Sequence, residues 1–587
     1  MVVVEADKLP EAAGRKPSDF LDSIARSDLK EVLTPQTPYV SVSLEVGADL
    51  MPFTGGLGIL EGDKLLQAEA SGIPYTALTL AYSQRWLQGL QDYWQTENFE
   101  SVTPEDLGLS RIGKTKINII GWNGEEIVKD VDICQKSFGS AQILALYMPD
   151  LREVYYGGND SEHRFFQQVV LGFGGQAAMD QVGLSPSLLQ VNESAPVFSA
   201  VANLDKLVES GLDFEQALAQ VRAKTLFTNH TLVQAAVSSL SGEYFERLVI
   251  PNVKSEIVRD WLRGIIVQES GGLELSKLAF ELSGVQNGVS QIHAEISSFN
   301  YRRLDGSSVH FEANTNGIFI GRWTHPRFLA SYLQSVVVDK NYLMADSAQE
   351  MIDNLDYKER LSIKNQAKHE LVSYLRGRID QDGNPIELPQ ESKIAVWSRR
   401  LAGYKQPFMF LKDPEELARV LEQEDMHLIM AGKAHPTDEL MKEHLRDNLN
   451  MIKRHPVLSA RVHFVQDYDA ELAQHLVAGA DIWLNTPRPG EEACGTSPFK
   501  AIVNDTIVVS TEDGGLADKR PASYIVIEGD EIYDRLRQAS QEASNPFLRV
   551  KRVKAQLKDY IDTIPSGQMQ EKYINLGYPQ QDLPQAA

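Results

Sequence analysis

The second half of the chain alternates short apolar runs with amphipathic helical patterns. From Lys393 onward, KIAVWS, HLIMA, RVHFV, DIWLN and TIVVS are separated by segments such as DPEELARVLEQE and AELAQHLVAGA. Each apolar run has the length of a strand and lacks polar alternation, which is typical of strands buried on both faces. In the first helical segment Leu417, Val420 and Leu421 follow the i, i+3, i+4 spacing of a buried helix face. This alternation predicts a parallel α/β domain.

The first half is less regular but carries the same signals. YVSVSLEV, then GDKLLQAEASG after a glycine turn, then IPYTALTLAY predict strand, helix and strand. The chain has 587 residues, too many for one core. We predict an α/β protein of two Rossmann-like lobes with a ligand cleft at the carboxyl ends of both sheets. Two Rossmann-like domains are predicted, over residues 1–315 and 316–550, followed by a C-terminal helix and tail over residues 551–587. Residues 373–393 are the candidate linker or surface excursion.

Charge and cysteine content exclude several classes of function. The chain has 57 Lys and Arg against 81 Asp and Glu, a formal charge of −24, which repels nucleic acid and anionic membranes. The two cysteines lack zinc-like spacing, so no metal site and no disulfide framework is predicted. The N-terminal stretch lacks the pattern of a signal peptide, and no apolar run is long enough to span a bilayer. We therefore expect a cytoplasmic protein without membrane or nucleic-acid partners.

One lysine occupies an unexpected position in EEACGTSPFK. DIWLN predicts a strand and SPFKAIV a helix, so Gly495 and Thr496 fall at the helix start and Lys500 about one turn inside. A cation is disfavoured near a helix N-terminus, and burial of an unpaired ammonium costs much more. A Schiff base to an aldehyde cofactor would remove the misplaced charge. The alternative is a lysine whose stem lies on apolar neighbours while its amine reaches solvent.

Two further stretches predict anion binding. TGGLGILEGDK follows a predicted strand and enters a helix, so Gly55 and Gly56 would let backbone N–H groups approach a phosphate, although such glycine turns are also common for structural reasons. SRRLAGYKQ places Arg399, Arg400 and Lys405 just after a strand, where sites form in α/β sheets. The alternative for this second stretch is a solvated basic turn.

Taken together, the motifs resemble the α-glucan (glycogen, starch, maltodextrin) phosphorylase family, in its short bacterial-type branch. The likeness extends over most of the chain in order and spacing. The stretches that carry it are TGGLGILEGD, YYGGNDSEHRFFQQVVLGFGG, LQVNESAPVF, LFTNHTLVQA, NGVSQIHAEIS, TNGIFIGRWTHP, RRLAGYK, MAGKAHPTDE and EACGTSPFK.

The resemblance implies a role for each matching position. Lys500 corresponds to the lysine that holds pyridoxal 5'-phosphate, with Thr496, Gly495 and Gly56 as further cofactor-binding positions. The implied reaction is phosphorolysis of α-1,4-glucan by inorganic phosphate to α-D-glucose 1-phosphate, and a homodimer is expected. The resemblance also implies that Arg400 and Lys405 surround the phosphates, that Gly55 and Gly56 form the loop over substrate phosphate, and that Tyr404, Glu492, Gly495 and Asn316 line the glucosyl pocket.

The sequence departs from the family pattern at several positions. Ala195 and Val237 stand where the family has histidines on the sugar side. Cys494 replaces a usual serine, Gln406 replaces a usual basic residue, and the segment between SLEV and TGGLG is short and lacks a His-Glu pair. Loss of a buried sugar contact costs about 1–3 kcal/mol or changes which sugar fits.

These departures leave three hypotheses open. The first is a glycosyltransferase of the α-glucan phosphorylase type with a shifted sugar or acceptor preference. The second is a catalytically altered or inactive relative that acts in glucan binding or regulation. The third is a nucleotide-sugar glycosyltransferase on the same two-lobed fold. The chain's other histidines in these motifs, His230, His293 and His435, are expected to be packing residues.

Overall fold

A computed structural model describes residues 33–48, 51–152, 162–232, 239–269, 271–335, 352, 356–519, 524–529 and 531–577. The described chain divides into two compact units. We call one the N-terminal unit; it holds the described residues up to Arg85, those of Glu100–Thr315, and residues 567–577. The other, the C-terminal unit, holds Trp86–Phe99 and Asn316–Ser566. The domain bounds proposed from the sequence remain a prediction.

A nine-stranded sheet forms the centre of the N-terminal unit. Its order is β13-β12-β9-β8-β1-β2-β7-β6-β5. The strands from β13 to β7 run parallel, and β6 and β5 extend the sheet antiparallel. These strands are β1 (Tyr39–Val42), β2 (Tyr75–Ala81), β5 (Ser110–Ile120), β6 (Glu126–Phe138), β7 (Ala141–Tyr147), β8 (Leu188–Asn192), β9 (Thr225–Asn229), β12 (Val285–Gly288) and β13 (Glu312–Ala313).

Helices flank this sheet and bury its apolar strands. The central strands β1, β2, β8 and β9 are buried along their whole length, as continuous apolar strands between helical layers must be. A small antiparallel pair, β10 (Ser239–Ser241) and β11 (Gly272–Glu274), lies outside the main sheet. The helices are α1 (Gly56–Ser71), α2 (Glu162–Val169), α3 (Gly175–Gln181), α4 (Phe198–Glu209), α5 (Phe214–Lys224), α6 (Gly242–Tyr244), α7 (Glu256–Gln268), α8 (Leu275–Leu282) and α9 (Gln291–Asn300).

The C-terminal unit contains a fully parallel six-stranded sheet of order β16-β15-β14-β17-β18-β19. Its strands are β14 (Lys393–Ser398), β15 (Met426–Ala431), β16 (Val462–Val465), β17 (Ile482–Asn485), β18 (Ile507–Ser510) and β19 (Ile525–Val526). The helices of this unit are α10 (Ile320–Trp323), α11 (Pro326–Ser335), α12 (Tyr357–Leu375), α13 (Pro414–Gln423), α14 (Glu439–Arg454), α15 (Pro456–Arg461), α16 (Ala470–Gly479), α17 (Ser497–Ile502), α18 (Gly514–Ala517), α19 (Ile532–Ser544) and α20 (Pro546–Tyr560).

Aspartate side chains start several of these helices. Asp413, Asp438 and Asp469 each accept a hydrogen bond from a backbone N–H in the first turn, which satisfies one of the donors that a helix start leaves unpaired. In α13, Leu417, Val420 and Leu421 are buried, as their spacing predicted.

A hairpin from the N-terminal half of the sequence belongs to the C-terminal unit. It consists of β3 (Gln84–Gln91) and β4 (Trp94–Ser101). Gln88 donates from Nε2 to the carbonyl of Gly432 at 2.9 Å, and Gln95 donates to the carbonyl of Ala434 at 2.9 Å. Buried amides that bond backbone in this way fix the hairpin against the loop that follows β15. Nothing in the apolar pattern of the sequence predicts this placement.

The last helix, α21 (Ser566–Gly577), packs in the N-terminal unit. Gln570 donates to the carbonyl of Lys64 at 2.7 Å, and the Lys64 ammonium lies 5.3 Å from the centre of the Tyr573 ring. Lys64 is fully buried and bonds Glu61 at 2.8 Å and Gln190 at 2.5 Å. A buried ammonium is tolerated here because a carboxylate and several oxygens surround it.

The structure confirms the predicted α/β class with parallel sheets and the strand and helix order from Lys393 onward. The segment 373–393 lies inside the C-terminal unit, so it is not a linker between the units, and its many exposed positions fit the other expectation, a surface excursion. Its first part continues α12, and the buried side chain of Gln381 accepts from the N–H of Phe464 at 2.7 Å and donates to the carbonyl of Val462 at 3.3 Å. These bonds satisfy backbone groups of β16, the edge strand of the sheet, which would otherwise be unpaired. No described helix is both long enough and apolar enough to cross a bilayer.

Gly172 offers a test of packing in the N-terminal unit. It lies in a π-helical turn between α2 and α3, and an added Cβ would meet Phe198 Cβ at 2.4 Å and its carbonyl carbon at 2.5 Å. We expect Gly172→Ala to lower the free energy of unfolding by about 1–3 kcal/mol, because backbone must shift to make room. Gly264→Ala in α7 is the control, since nothing lies within 4 Å there and alanine should stabilise the helix by about 0.5–1 kcal/mol. The midpoints of urea unfolding measure both changes in stability. Equal midpoints for wild type and Gly172→Ala would contradict the close contact between Gly172 and Phe198.

Candidate functional site

The strand order of the C-terminal unit fixes where a ligand can bind. The sequence moves outward from β14 to β15 and β16 on one side, then returns to β17, β18 and β19 on the other. Connections on opposite faces leave a crevice outside the carboxyl ends of β14 and β17. The loop after Ser398 and the loop after Asn485 both begin at this edge. They carry the SRRLAGYK and EEACGTSPFK stretches.

A buried carboxylate joins these two loops. Glu492 accepts from Lys405 Nζ at 3.0 Å on Oε1 and 2.7 Å on Oε2, and Arg399 Nη2 donates to Oε2 at 3.1 Å. Its own N–H donates to Asp513 Oδ2 at 2.8 Å, which ties the second loop to the residue that caps α18. Lys405 also lies 4.7 Å from the centre of the Tyr404 ring. One carboxylate therefore holds two cations that follow β14.

The charges around Glu492 keep it ionised. Burial by itself raises the pKa of this carboxyl, but the charges of Lys405 and Arg399 lower it by more. The hydrogen bonds from Lys405 and the charge of Arg400 act in the same direction. The pKa of Glu492 falls from an ordinary 4.5 to about 2.

Two glycines allow Arg399 to approach. A Cβ at Gly495 would lie 2.7 Å from Arg399 Nη2, and a Cβ at Gly432 would lie 2.1 Å from the Arg399 carbonyl oxygen. Any larger residue would push the guanidinium or its backbone away from Glu492. The GTS turn of the sequence thus has a steric reason for its glycine.

Lys500 lies in the middle of α17 with its side chain only 7% exposed. Its Nζ is 3.6 Å from the centre of the Trp323 ring, within the range of a favourable cation–π contact. The alternative in which its amine reaches solvent is therefore wrong, because the side chain turns onto a buried aromatic ring. Thr496 is the N-cap residue of this helix and makes no side-chain capping bond.

Several buried polar atoms near these loops lack partners in the described part of the chain. Arg399 Nε and Nη1, Asn316 Oδ1 and Ser497 Oγ are buried and make no hydrogen bond there. Asn316 is held by its Nδ2, which donates to the Cys494 carbonyl at 3.4 Å. Unpaired buried donors on a guanidinium are costly unless a ligand occupies them. The arrangement suits an anion with further hydrogen-bonding groups.

The N-terminal unit has its own carboxyl-edge cluster, between β1 and β8. Glu45 is buried and its Oε2 accepts from the N–H of Thr54 at 2.7 Å and of Gly55 at 3.3 Å. Its Oε1 accepts from the N–H of Gly58 at 3.1 Å. Burial raises the pKa of Glu45, and these backbone bonds oppose the rise without cancelling it. The carboxylate therefore bridges the start of the glycine loop and the first turn of α1.

A second group follows β8 and β9 in the same unit. The Glu193 carboxylate accepts from the N–H of His230 at 2.8 Å, and His230 Nε2 lies 3.1 Å from Asn192 Oδ1. Glu193 has φ +66, a left-handed backbone that is rare for glutamate. Burial raises its pKa to about 7, although the His230 bond and the Arg164 charge oppose the rise. Ala195 is buried in the short helical turn that follows.

The structure brings together some of the predicted residues and leaves others apart. Arg399 and Lys405 both bond Glu492, Gly495 adjoins Arg399 Nη2, and Tyr404 lies beside Lys405. Asn316 bonds the Cys494 carbonyl of the same loop as Glu492. Arg400 is exposed, whereas the neighbouring Arg399 is buried. Gly55 and Gly56 belong to the N-terminal unit. Val237 and the whole of YYGGND, residues 155–160, lie outside the described residues.

Sequence reasoning missed Glu45 and gave Arg399 no separate role. The glutamate of SLEV just before a glycine turn was the available signal for Glu45, because a carboxylate is a natural partner for the donors of a helix start. Among the described residues, no group of three or more His, Cys, Asp or Glu side chains could hold a metal ion.

Comparison with known proteins bears on this geometry. The family model described as carbohydrate phosphorylase matches residues 176–578. The chain belongs to the carbohydrate phosphorylase family. It is 30% identical over 521 residues to a glycogen phosphorylase from Mycobacterium tuberculosis, covering 80% of this chain and 60% of that relative.

Two further relatives of the family show how much of the longer proteins this chain spans. A maltodextrin phosphorylase from Thermococcus litoralis is 26% identical over 511 residues, which cover 81% of this chain and 60% of the relative. A glycogen phosphorylase from Aquifex aeolicus is 28% identical over 535 residues, which cover 82% of this chain and 74% of the relative. The chain thus spans about three fifths of the length of the first two relatives. The family model covers the whole six-stranded sheet and begins after Glu45 and the glycine loop.

The stability that Glu492 contributes depends on pH. Its folded pKa is depressed, so its contribution to stability is complete above about pH 4.5 and is lost as the pH falls toward 2. Glu492→Gln leaves two cations uncompensated and should cost about 3–5 kcal/mol near neutral pH. The difference in unfolding free energy between wild type and Glu492→Gln should shrink from pH 5 to pH 3.

The neighbouring Glu491 supplies the control. Its exposed pair with Arg488 predicts a cost within about 1 kcal/mol for Glu491→Gln. Denaturant unfolding at several pH values measures both variants, and a Glu492→Gln difference that stays constant with pH would refute the depressed pKa.

Proposed function

We propose that this protein is a pyridoxal-phosphate-dependent α-glucan phosphorylase that converts α-1,4-glucan and inorganic phosphate to α-D-glucose 1-phosphate. The observation that supports it most is the buried Lys500 amine in a unit whose Arg399 guanidinium has unpaired buried donors. Family membership directs this chemistry to glucan. The proposal includes two Rossmann-like lobes with a cleft between them, supported by parallel sheets whose order reverses at the candidate sites.

The residues present fit the cofactor. An aldehyde needs a primary amine in a water-poor pocket, and Lys500 against Trp323 provides one. A phosphate needs fixed donors, which Arg399 Nε and Nη1 supply. We assign Thr496, Gly495 and Gly56 to the same cofactor region, as the family resemblance implies. When bound, the cofactor supplies a phosphate group that exchanges a proton with substrate phosphate.

The cations near Glu492 are assigned to the phosphates. Glu492 engages two of the three N–H donors of Lys405, which leaves one for an anion. Arg400 is exposed at the same edge and adds positive charge where substrate phosphate would enter. The cations would hold the substrate phosphate that protonates the leaving glycosidic oxygen, and the negative charge of that phosphate stabilises the oxocarbenium-like sugar beside it. Tyr404, Glu492 and Asn316 are assigned to the glucosyl side.

The glycine loop is assigned to substrate phosphate. Glu45 already accepts the N–H groups of Thr54, Gly55 and Gly58, so it fixes the loop before any ligand binds. Among the described residues, nothing accepts a hydrogen bond from the N–H groups of Gly56 and Leu57 in the first turn of α1. These two are the amides that the loop can offer to an anion.

The alternative is a phosphorylase-like protein that binds glucan or regulates without turnover. Ala195 is the specific observation in its favour, since a buried methyl group follows β8 where the family has a histidine. The protein's partners under either proposal are glucan and, for the enzyme, phosphate. A homodimer and a cytoplasmic location belong to the proposal as well.

One experiment separates these functions. The purified protein is reduced with borohydride and its tryptic peptides are analysed by mass spectrometry. We expect the peptide that contains Lys500 to carry the mass of the reduced cofactor. Release of glucose 1-phosphate from maltodextrin is then measured with and without phosphate, and Lys500→Ala should abolish it. Lys453→Ala, an exposed lysine paired with Asp382, is the control and should keep full activity.

The outcomes are distinct. Cofactor on Lys500 without turnover on any glucan would favour the non-catalytic alternative. Absence of the cofactor mass from Lys500 would reject the proposed chemistry and favour a nucleotide-sugar glycosyltransferase.

Glu45 allows a second test, directed at the loop. Glu45→Gln turns an amide NH2 toward backbone donors, so at least one buried N–H loses its acceptor at about 1–3 kcal/mol. We expect the KM for phosphate to rise about tenfold or more, with a smaller change in the KM for glucan. Glu256→Gln, exposed in the first turn of α7, should leave both values unchanged. Equal rises in both KM values would argue that Glu45 acts on general stability.

A further inference from the structure

One buried side chain joins the backbone of Lys500 to the backbone of Trp323. Asn504 follows the end of α17 and is fully buried. Its Nδ2 donates to the carbonyl of Trp323 at 2.8 Å and to the carbonyl of Lys500 at 2.8 Å. Its Oδ1 accepts from the N–H of His325 at 2.7 Å. The amide therefore uses both of its N–H donors and its oxygen on backbone groups.

These bonds cap the ends of two short helices. Trp323 is the last residue of α10, and Lys500 lies in the last turn of α17. The carbonyls of a last turn have no partner inside the helix, and helices this short are unstable alone. The backbone N–H of Asn504 bonds the carbonyl of Ala501 at 3.0 Å, as in a tightened helix end. The Asn504 side chain therefore supplies the donor for the Lys500 carbonyl.

The backbone of Asn504 is itself anchored from α12. Lys364 Nζ donates to the carbonyl of Asn504 at 2.9 Å and to the carbonyl of Ala478 at 2.8 Å. Arg360 Nη1 donates to the two carboxylate oxygens of Asp505 at 2.8 and 2.9 Å. All three charged side chains are buried. A buried network of this kind permits few alternative positions, so the amide of Asn504 is presented from a fixed point.

The contact between Lys500 and Trp323 depends on these two helix ends. The two residues belong to different helices that are far apart in the sequence, yet the Lys500 Nζ lies 3.6 Å from the centre of the Trp323 ring. Asn504 holds the backbone carbonyl of each residue. Because a cation–π contact requires the cation within about 6 Å of the ring centre, a displacement of either helix end would weaken it.

We propose that Asn504 is a positioning residue that keeps the Trp323 ring over the Lys500 amine. Its importance for catalysis rests on the proposed function, which assigns the cofactor to Lys500. The placement of the amine does not rest on it and can be tested in protein from which any cofactor has been removed. An amine held in place reacts with an aldehyde without first having to reorder its helix.

Methylation of the amine tests this positioning. The whole chain, freed of cofactor, is treated with formaldehyde and a borane reductant, and mass spectrometry follows the dimethylation of Lys500 with time. We expect Asn504→Ala to raise this rate about tenfold, because uncapped helix ends open more often and admit the reagent. Asn504→Ser keeps one hydroxyl donor and a smaller cavity, so it should raise the rate less.

Gln556→Ala is the matched control. Gln556 is also a fully buried amide of the C-terminal unit, and it donates to the carbonyl of Thr506 at 2.9 Å and accepts from the N–H of Val508 at 3.0 Å. Its loss should lower the melting temperature without changing the methylation rate of Lys500. The proposal fails if Asn504→Ala methylates like wild type. It also fails if both variants speed methylation equally, because general loss of stability would then explain the effect.

A double-mutant cycle asks whether Asn504 acts through the ring. Trp323→Phe keeps the backbone carbonyl but removes much of the ring that covers the Lys500 amine. If Asn504 works by holding that ring, Asn504→Ala should raise the methylation rate much less in the Trp323→Phe background than in wild type. Fully independent effects of the two substitutions would contradict the proposal.

The wild-type protein gives a test that needs no variant. The amide of His325 bonds Asn504 Oδ1, so it should exchange with deuterium at least about a hundredfold more slowly than the same amide in an unfolded peptide. Exchange at the unfolded rate would overturn the proposal even if the Asn504 variants failed to fold.

The bound cofactor provides a spectroscopic readout. With pyridoxal 5'-phosphate added to saturation, the circular dichroism of its absorbance band depends on how its ring is held. We expect Asn504→Ala to weaken this band and Gln556→Ala to keep it, and an unchanged band in Asn504→Ala would contradict the positioning role. Absence of the band from wild type would reject the proposed function, while the methylation and exchange results would still decide the role of Asn504.

Discussion

The candidate site of the C-terminal unit depends on one buried carboxylate that pairs with two cations and leaves the cluster with one net positive charge. Without Glu492, Arg399 and Lys405 would repel one another at the carboxyl edge of the sheet, and their desolvation would be uncompensated. With it, the loops after β14 and β17 are joined by charge-assisted bonds, and most of the Arg399 donors remain available. This local positive charge is what the proposed anion site would need in a protein of strongly negative net charge.

The N-terminal unit uses a carboxylate differently. In the described part of the chain Glu45 bonds no cation and instead accepts backbone N–H groups from the glycine loop. The Glu45 carboxylate therefore holds the loop through directional hydrogen bonds, whereas Glu492 acts mainly through its charge. Each unit thus places a buried acid at the point where its strand order reverses, where helix connections leave room for a ligand.

Buried polar groups also explain how distant parts of the sequence are joined. The β3–β4 hairpin is fixed in the C-terminal unit by glutamine bonds to backbone, and α21 is fixed in the N-terminal unit by Gln570 and the buried Lys64. Such groups tolerate few alternative positions, because each displaced bond would leave an unpaired polar atom. They specify where an element packs, while apolar burial supplies most of the stability.

The sequence by itself determined the α/β class, the order of elements from Lys393 onward and the motif stretches that identify the family, because hydrophobic periodicity and helix caps act over a few residues. It also singled out Lys500 by its misplaced charge. Only the tertiary structure decided that Lys500 turns onto Trp323, that Arg399 rather than Arg400 is buried, and that Glu45 holds the glycine loop. Those outcomes depend on contacts between residues far apart in the chain, and no local pattern encodes them.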